Sequence, residues 1–225
     1  MTYIPDNNDF FAMQEEEPIL ETLPKTNRDK IEYHLRQTER EGVEELVSYL
    51  LDCGYYEAPC STRYHLAKEG GLAEHSLNVL SLATKLMMAW EVQVPYSSVV
   101  IVSLLHDLGK TGHYDKPFYI PNMVREGRAT KSNPDPKWIQ SSKQPYESNK
   151  QMLGIPHEII TLTELSRHFT LTEEEYFAIL YHNGLYGDLK YQISGKETPL
   201  YMLLHFADMW ASRVTEVMEV ENGEE

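Results

Sequence analysis

The stretch LLHDLGK, Leu104 to Lys110, decides how this chain is read. An apolar run, YSSVVIVSLL (96–105), ends in an adjacent imidazole and carboxylate, His106 and Asp107, with an ammonium three residues on at Lys110. The run is apolar nearly all round, which predicts a central helix buried on every face. Serines at its start suit capping and Gly109 suits its end, so a helix is expected over 96–109. Adjacent helical side chains diverge by ~100°, so His106 and Asp107 reach one point only near a helix end or where that point lies between them. A metal ion meets that condition. Imidazole and carboxylate together suit Mn, Fe, Co, Ni or Zn better than Ca or Mg.

The neighbouring segments also read as helices. LAEHSLNVLSLATKLMMAWEV (72–92) repeats apolar residues at helical spacing until Pro95, and carries His75 one turn in, behind Gly70-Gly71. Residues 27–54 open on Asn27 as a cap and close on Gly54, with Gly42 splitting the segment. Further on come 156–169, 170–184 with a capping box from Thr172 to Glu175, and 198–218. Strand-like alternation is scarce and no repeat is visible, so the fold is read as all-α. Between the helices, residues 110–156 hold prolines at 117, 121, 134, 136, 145 and 156. They read as a long irregular insertion with short strands around FYIPNMV (118–124) and REGRATK (125–131). Residues 186–198 read as a polar loop. The expected layout is an irregular arm over 1–27, a helical domain over 28–218 and an acidic tail over 219–225.

Composition sets limits. The 225 residues are 41% hydrophobic, enough for one sizeable core. A net charge of −15 excludes a broad basic face for duplex DNA, since phosphate neutralisation needs clustered Lys and Arg. Acidic runs at Glu15 to Glu17 and Glu216 to Glu225 read as solvated tails. The two cysteines, Cys53 and Cys60, match no zinc or disulfide framework, which suits a reducing cytoplasm. No signal peptide is visible, and the apolar stretch 99–105 is far shorter than the ~20 residues of a membrane helix, so a soluble cytoplasmic protein is expected.

Asp208 sits in LLHFADMWA, an otherwise apolar helix. A buried unpaired carboxylate costs several kcal/mol, so a cation is expected beside it; the bland alternative is pairing with Arg213 or His205. GGLAEHSLNVL, then LLHDLGK, then this late Asp together resemble the HD superfamily of metal-dependent phosphohydrolases, over residues 61 to about 213. The resemblance implies a helical bundle in which His75, His106, Asp107 and Asp208 bind a first divalent ion. It further implies a second ion on His157, in GIPHEII, and His182, in LYHNG, with Asp107 bridging the two. Tyr181 departs from the paired histidines of many binuclear members. Without a metal, His157 would be a solvent-facing helix start and His182 a helix-terminal cation.

A divalent pair, manganese for example, lowers the pKa of a shared water and neutralises charge on a phosphoryl group. Asp107 and Lys110 are the catalytic candidates, with Lys110, Arg63 and His65 as phosphate or leaving-group contacts. The insertion mixes Lys and Arg with Tyr, Phe and Trp, which suits a lid over a nucleotide. The expected function is metal-dependent hydrolysis of a nucleotide phosphomonoester or phosphodiester. The alternatives are a 3′–5′ exonuclease on short single strands and a metal-bound, non-catalytic sensor or interaction module. No membrane partner is expected, and the sequence assigns no oligomeric state.

Overall fold

The computed structural model describes residues 24–130, 134–187 and 190–217. The expected N-terminal arm up to residue 23 and the acidic tail over 219–225 lie outside them. Eight α-helices are present among the described residues: α1 (Asn27–Arg36), α2 (Val43–Asp52), α3 (Gly71–Ala89), α4 (Tyr96–Leu105), α5 (His157–His168), α6 (Glu173–Tyr181), α7 (Lys190–Ile193) and α8 (Pro199–Trp210). The all-α expectation is borne out, with short strands confined to the insertion.

Helix α4 is the axis of the bundle and touches α1, α3, α6 and α8. Every residue from Ser98 to Leu105 is buried, as its unbroken apolar run requires. Fully burying a Leu, Ile or Val contributes roughly 1.5–3 kcal/mol, so α4 alone supplies much of the core. Tyr55 fastens the start of the chain to it, donating to the Leu104 carbonyl and lying 2.7 Å from Ser76 Oγ.

Several boundaries differ from expectation. Helix α1 is capped by Thr26, which exchanges hydrogen bonds with Asp29, so Asn27 is the first helical residue rather than the cap. Gly42 separates α1 from α2 as expected, in the left-handed conformation (φ 86°) that favours glycine. Helix α4 stops at Leu105, not at 109; Asp107 leaves helical geometry at φ −103°, ψ 10°, and residues Leu108–Thr111 form a 3₁₀ turn. No serine caps α4, because Ser98 points inward and donates to Glu175 at 2.7 Å.

In the insertion, β1 (Tyr119–Pro121) pairs antiparallel with β4 (Tyr146–Ser148), and β2 (Met123–Arg125) with β3 (Trp138–Gln140). FYIPNMV does hold strands, but among the described residues of REGRATK only Arg125 belongs to one. The partner strands β3 and β4 lie later and have no buried alternation: β3 is exposed at every residue and β4 is at most half-buried. The polar loop 186–198 contains the short helix α7, anchored by buried Ile193. Helix α8 passes into a π-turn at Ala211–Thr215. Glu216, read as the start of a solvated tail, is fully buried beyond it.

Candidate metal centre

The end of α4 lies against the start of α5, and two contacts fix that meeting. Gly109 N–H donates to Thr161 Oγ1 at 2.8 Å, and Thr161 Oγ1 donates to the His106 carbonyl at 3.0 Å. A Cβ on Gly109 would lie 2.1 Å from the His157 carbonyl oxygen. The glycine of LLHDLGK is therefore needed for close approach to α5, beyond any role in ending α4. A similar contact sets the other side: a Cβ on Gly71 would meet the Leu66 carbonyl at 2.0 Å, so α3 starts directly behind the loop that carries His65.

These contacts gather five predicted residues around the carboxylate of a sixth, Asp107. Asp107 Oδ2 lies 3.7 Å from His75 Nε2 and 3.4 Å from His106 Nε2. Asp107 Oδ1 lies 3.0 Å from His157 Nε2 and 3.5 Å from His182 Nε2. Asp208 Oδ1 lies 3.2 Å from His75 Nε2, which answers the question of its partner: the cluster, rather than Arg213 or His205. His157 is largely buried rather than solvent-facing; His182 does close α6, as its helix-terminal reading has it, but its Nε2 points inward to Asp107.

The buried imidazoles share one orientation. His106 Nδ1 engages the Ser103 carbonyl at 3.0 Å, and His182 Nδ1 the Ile179 carbonyl at 2.7 Å. His75 Nδ1 engages Glu216 Oε1 at 2.8 Å. Each acceptor engages Nδ1 and leaves Nε2 directed into the cluster around Asp107, where a neutral imidazole offers a lone pair to a metal ion. His75 Nε2, His106 Nε2 and Asp107 Oδ1 are buried and make no hydrogen bond. Orphaned polar atoms inside a protein are rare and costly. His157 Nε2 and His182 Nε2 also approach within 3.3 Å, a repulsive contact unless a proton or cation serves both. Nitrogen and oxygen donors directed at a common interior point fit a divalent ion. His75, His106 and Asp208 form one group that could hold it, and His106, Asp107 and His182 another.

The electrostatics agree. Burial disfavours the charged form of Asp107, yet Lys110 and His106 hold its carboxyl well below the usual range. Burial likewise opposes ionised Asp208, and His75 with His106 outweighs it. Burial works against a charged His75, but Cys60, Asp208 and Glu216 push its pKa well up. Three carboxylates converging here call for positive charge, as protons or as metal.

Lys110 Nζ lies 2.6 Å from Asp107 Oδ2 and 3.8 Å from Cys60 Sγ. It lines a cleft of about 700 Å³ together with His65, Asp107, His182, Asp208, Tyr64, Tyr186 and Arg213. His65 is tied to Glu216 Oε2 at 2.6 Å; burial lowers its pKa, but Cys60 and Glu216 prevail and raise it to about 9. Arg63 stands outside the cleft, with its guanidinium 4.6 Å from the centre of the Tyr64 ring. Among the described residues, the insertion beyond Lys110 lines none of this cleft. Its base borders the site through Phe118, 6.3 Å from the His157 ring, and through Tyr146 N–H, which donates to Thr62 at 3.2 Å.

Sequence reasoning missed Glu216, Tyr64, Tyr186 and Arg213. Glu216 was legible in one respect, since the helix over 198–218 was expected to include it, yet it was grouped with the tail acids. Tyr186 had no signal, because a 3₁₀ turn at Gly184–Tyr186 inside a polar loop has no period.

A family model, the HD domain, matches residues 72–188, just over half the chain, and the chain belongs to that family. The matched span contains His75, His106, Asp107, His157 and His182 and ends before Asp208. The family is one of metal-dependent hydrolases that bind divalent ions. No curated protein and no solved structure matches the chain. No helix among the described residues is long and apolar enough to cross a membrane.

Proposed function

We propose that the chain is a divalent-metal-dependent phosphohydrolase acting on a nucleotide phosphomonoester or phosphodiester. The observation that carries this reading is Asp107, whose two oxygens face two separate sets of imidazole nitrogens with orphaned donors between them. His75, His106, Asp107 and Asp208 would hold one ion; His157, His182 and the other oxygen of Asp107 would hold a second. When bound, a divalent pair supplies Lewis acidity and brings a water toward ionisation at neutral pH.

The chain's own residues do the rest. Lys110, at the cleft wall, offers an ammonium to a phosphoryl oxygen and neutralises charge as it grows. His65 is held in place by Glu216 and presents a polar edge beside the phosphate. Tyr64 and Tyr186 are 70% and 71% exposed and each lies beneath an arginine, Arg63 and Arg213. Such rings suit stacking on a base, and the guanidiniums suit phosphate. The cleft falls within the ~300–1,000 Å³ range of small-molecule sites, which favours a mononucleotide or dinucleotide over a long strand.

The test is metal content of protein purified without chelator, followed by a screen of nucleotide mono- and diesters with Mn²⁺. Bound transition metal and turnover of one class is the expected result. Absence of metal after addition of Mn²⁺, Co²⁺ and Ni²⁺, with no turnover, would overturn the reading and leave an interaction module.

A further inference from the structure

Glu216 is fully buried, a position carboxylates rarely occupy without strong partners. Its two oxygens are shared between the metal side and the substrate side of the site. Oε1 accepts from His75 Nδ1 at 2.8 Å and from Asn78 Nδ2 at 3.2 Å. Oε2 engages His65 Nδ1 at 2.6 Å. His65 lines the cleft, and His75 points its other nitrogen at Asp208 and Asp107.

The backbone explains how Glu216 gets there. Asp208 and Glu216 are eight residues apart on one continuous helical segment. In a regular α-helix eight residues advance ~800°, leaving the two side chains ~80° out of line. The π-turn at Ala211–Thr215 uses more residues per turn and so takes up part of that angle. It brings both carboxylates to the same imidazole, one on each ring nitrogen. π-Turns of this kind recur at functional sites.

We propose that Glu216 is a positioning residue of the metal centre, fixing the His75 tautomer from behind and coupling that ligand to the cleft residue His65. A carboxylate behind a ligating histidine orients the ring and makes it a stronger donor. The inference rests on the metal-centre reading and is independent of which ester is cleaved.

The experiment is Mn²⁺ titration followed by the EPR signal of free ion, on the wild type, Glu216→Gln, Glu216→Ala and Glu216→Asp, with melting curves in chelator. Glu216→Ala is expected to weaken one ion by ~10–100-fold and leave the other unchanged. Glu216→Gln keeps an acceptor for His75 Nδ1 without the charge and should fall between; its near-identical shape makes it the deciding variant if the alanine protein does not fold. Cobalt-loaded wild type and Glu216→Gln should also differ in visible absorption. Wild-type affinity for both ions in Glu216→Gln and Glu216→Ala would overturn the proposal. Equal weakening of both ions together with a lower melting point in chelator would also overturn it, as a general loss of structure. Wild-type protein that binds no Mn²⁺ overturns both this proposal and the metal reading. Protein that binds Mn²⁺ with the expected selectivity yet cleaves no nucleotide overturns the substrate reading alone.

Discussion

On the Oδ2 side of Asp107, His75 is backed by the buried Glu216 and faces Asp208, whereas on the Oδ1 side His182 rests on the Ile179 carbonyl and His157 is 19% exposed. The first wall is carried by long, interior elements, α3 and α8, with anionic support behind and in front. The second is carried by the N-terminal residue of α5 and the residue that closes α6. Neutral carbonyl support and partial exposure give weaker, more exchangeable binding than carboxylate support in a dry interior. An ion on the His75 wall should therefore be retained where an ion on the His157 wall is lost.

Asp107→Asn tests what the two walls share, and the largest effect is expected here. One oxygen is replaced by an amide nitrogen, which cannot accept. Metal content should fall from about two ions to nearly none by elemental analysis, since Asp107 is the one ligand that both ions would share. Retention of both ions would show that the walls are independent of their common carboxylate. His157→Ala comes next. It should remove about one ion and leave the other with wild-type resistance to EDTA, because ligand loss is confined to one wall. Loss of both ions, or loss of the EDTA-resistant one, would reverse the ranking of the walls.

A smaller effect is expected from the remote anchor of the second wall. Helix α6 is closed by His182 and carries in its first turn Glu175, whose carboxylate is 2.7 Å from Arg40 Nη1 and accepts from Ser98 and from the Thr172 amide. Burial opposes its charge, but Arg40, Thr172 and Ser98 hold its pKa below the usual carboxyl range. A carboxyl with a lowered folded pKa stabilises the fold above its unfolded value, and that stability is lost as pH falls through the folded value. Melting temperature should thus drop more steeply for wild type than for Glu175→Gln as pH is taken from ~5 to ~3. At neutral pH Arg40→Ala should cost about 3 kcal/mol by denaturant unfolding, less any relief from the partial exposure of Arg40. An unchanged acid profile in Glu175→Gln would mean that α6 is held by its apolar face alone.

Much of this was readable in the chain, for reasons the structure makes plain. Helices α3 and α8 bury one apolar face and α4 is buried almost all round, so their apolar patterns survive in the sequence, and histidine or aspartate inside or just after them stands out. The break after Leu105 was not readable, because no helix breaker stands at that position and the first glycine comes only at Gly109, inside the 3₁₀ turn. Strands β3 and β4 were missed because three-residue ribbons, exposed in β3 and at most half-buried in β4, have no hydrophobic pattern. Glu216 was missed because its charge is offset by residues more than a hundred positions away, His65, His75 and Asn78.

Lys110 divides the comparison most finely. Its ammonium lies 2.6 Å from Asp107 Oδ2, the oxygen that faces the His75 wall, and burial fails to suppress its charge because Asp107 holds its pKa well up. A fixed positive charge there competes with any metal ion for the same oxygen. It also faces the cleft, where it can meet a phosphate. Removing it therefore has two effects of opposite sign. Lys110→Ala should bind metal as tightly as wild type or more tightly, since Asp107 loses a competitor. Substrate should suffer instead: loss of a charge-assisted contact worth ~1.5–3 kcal/mol corresponds to roughly a 10–100-fold rise in KM or fall in kcat. Measuring Mn²⁺ affinity and KM on the same preparation separates the two. If metal is lost along with turnover, Lys110 serves to hold Asp107 in place, and the cleft must take its phosphate from Arg213 or from the metal side alone.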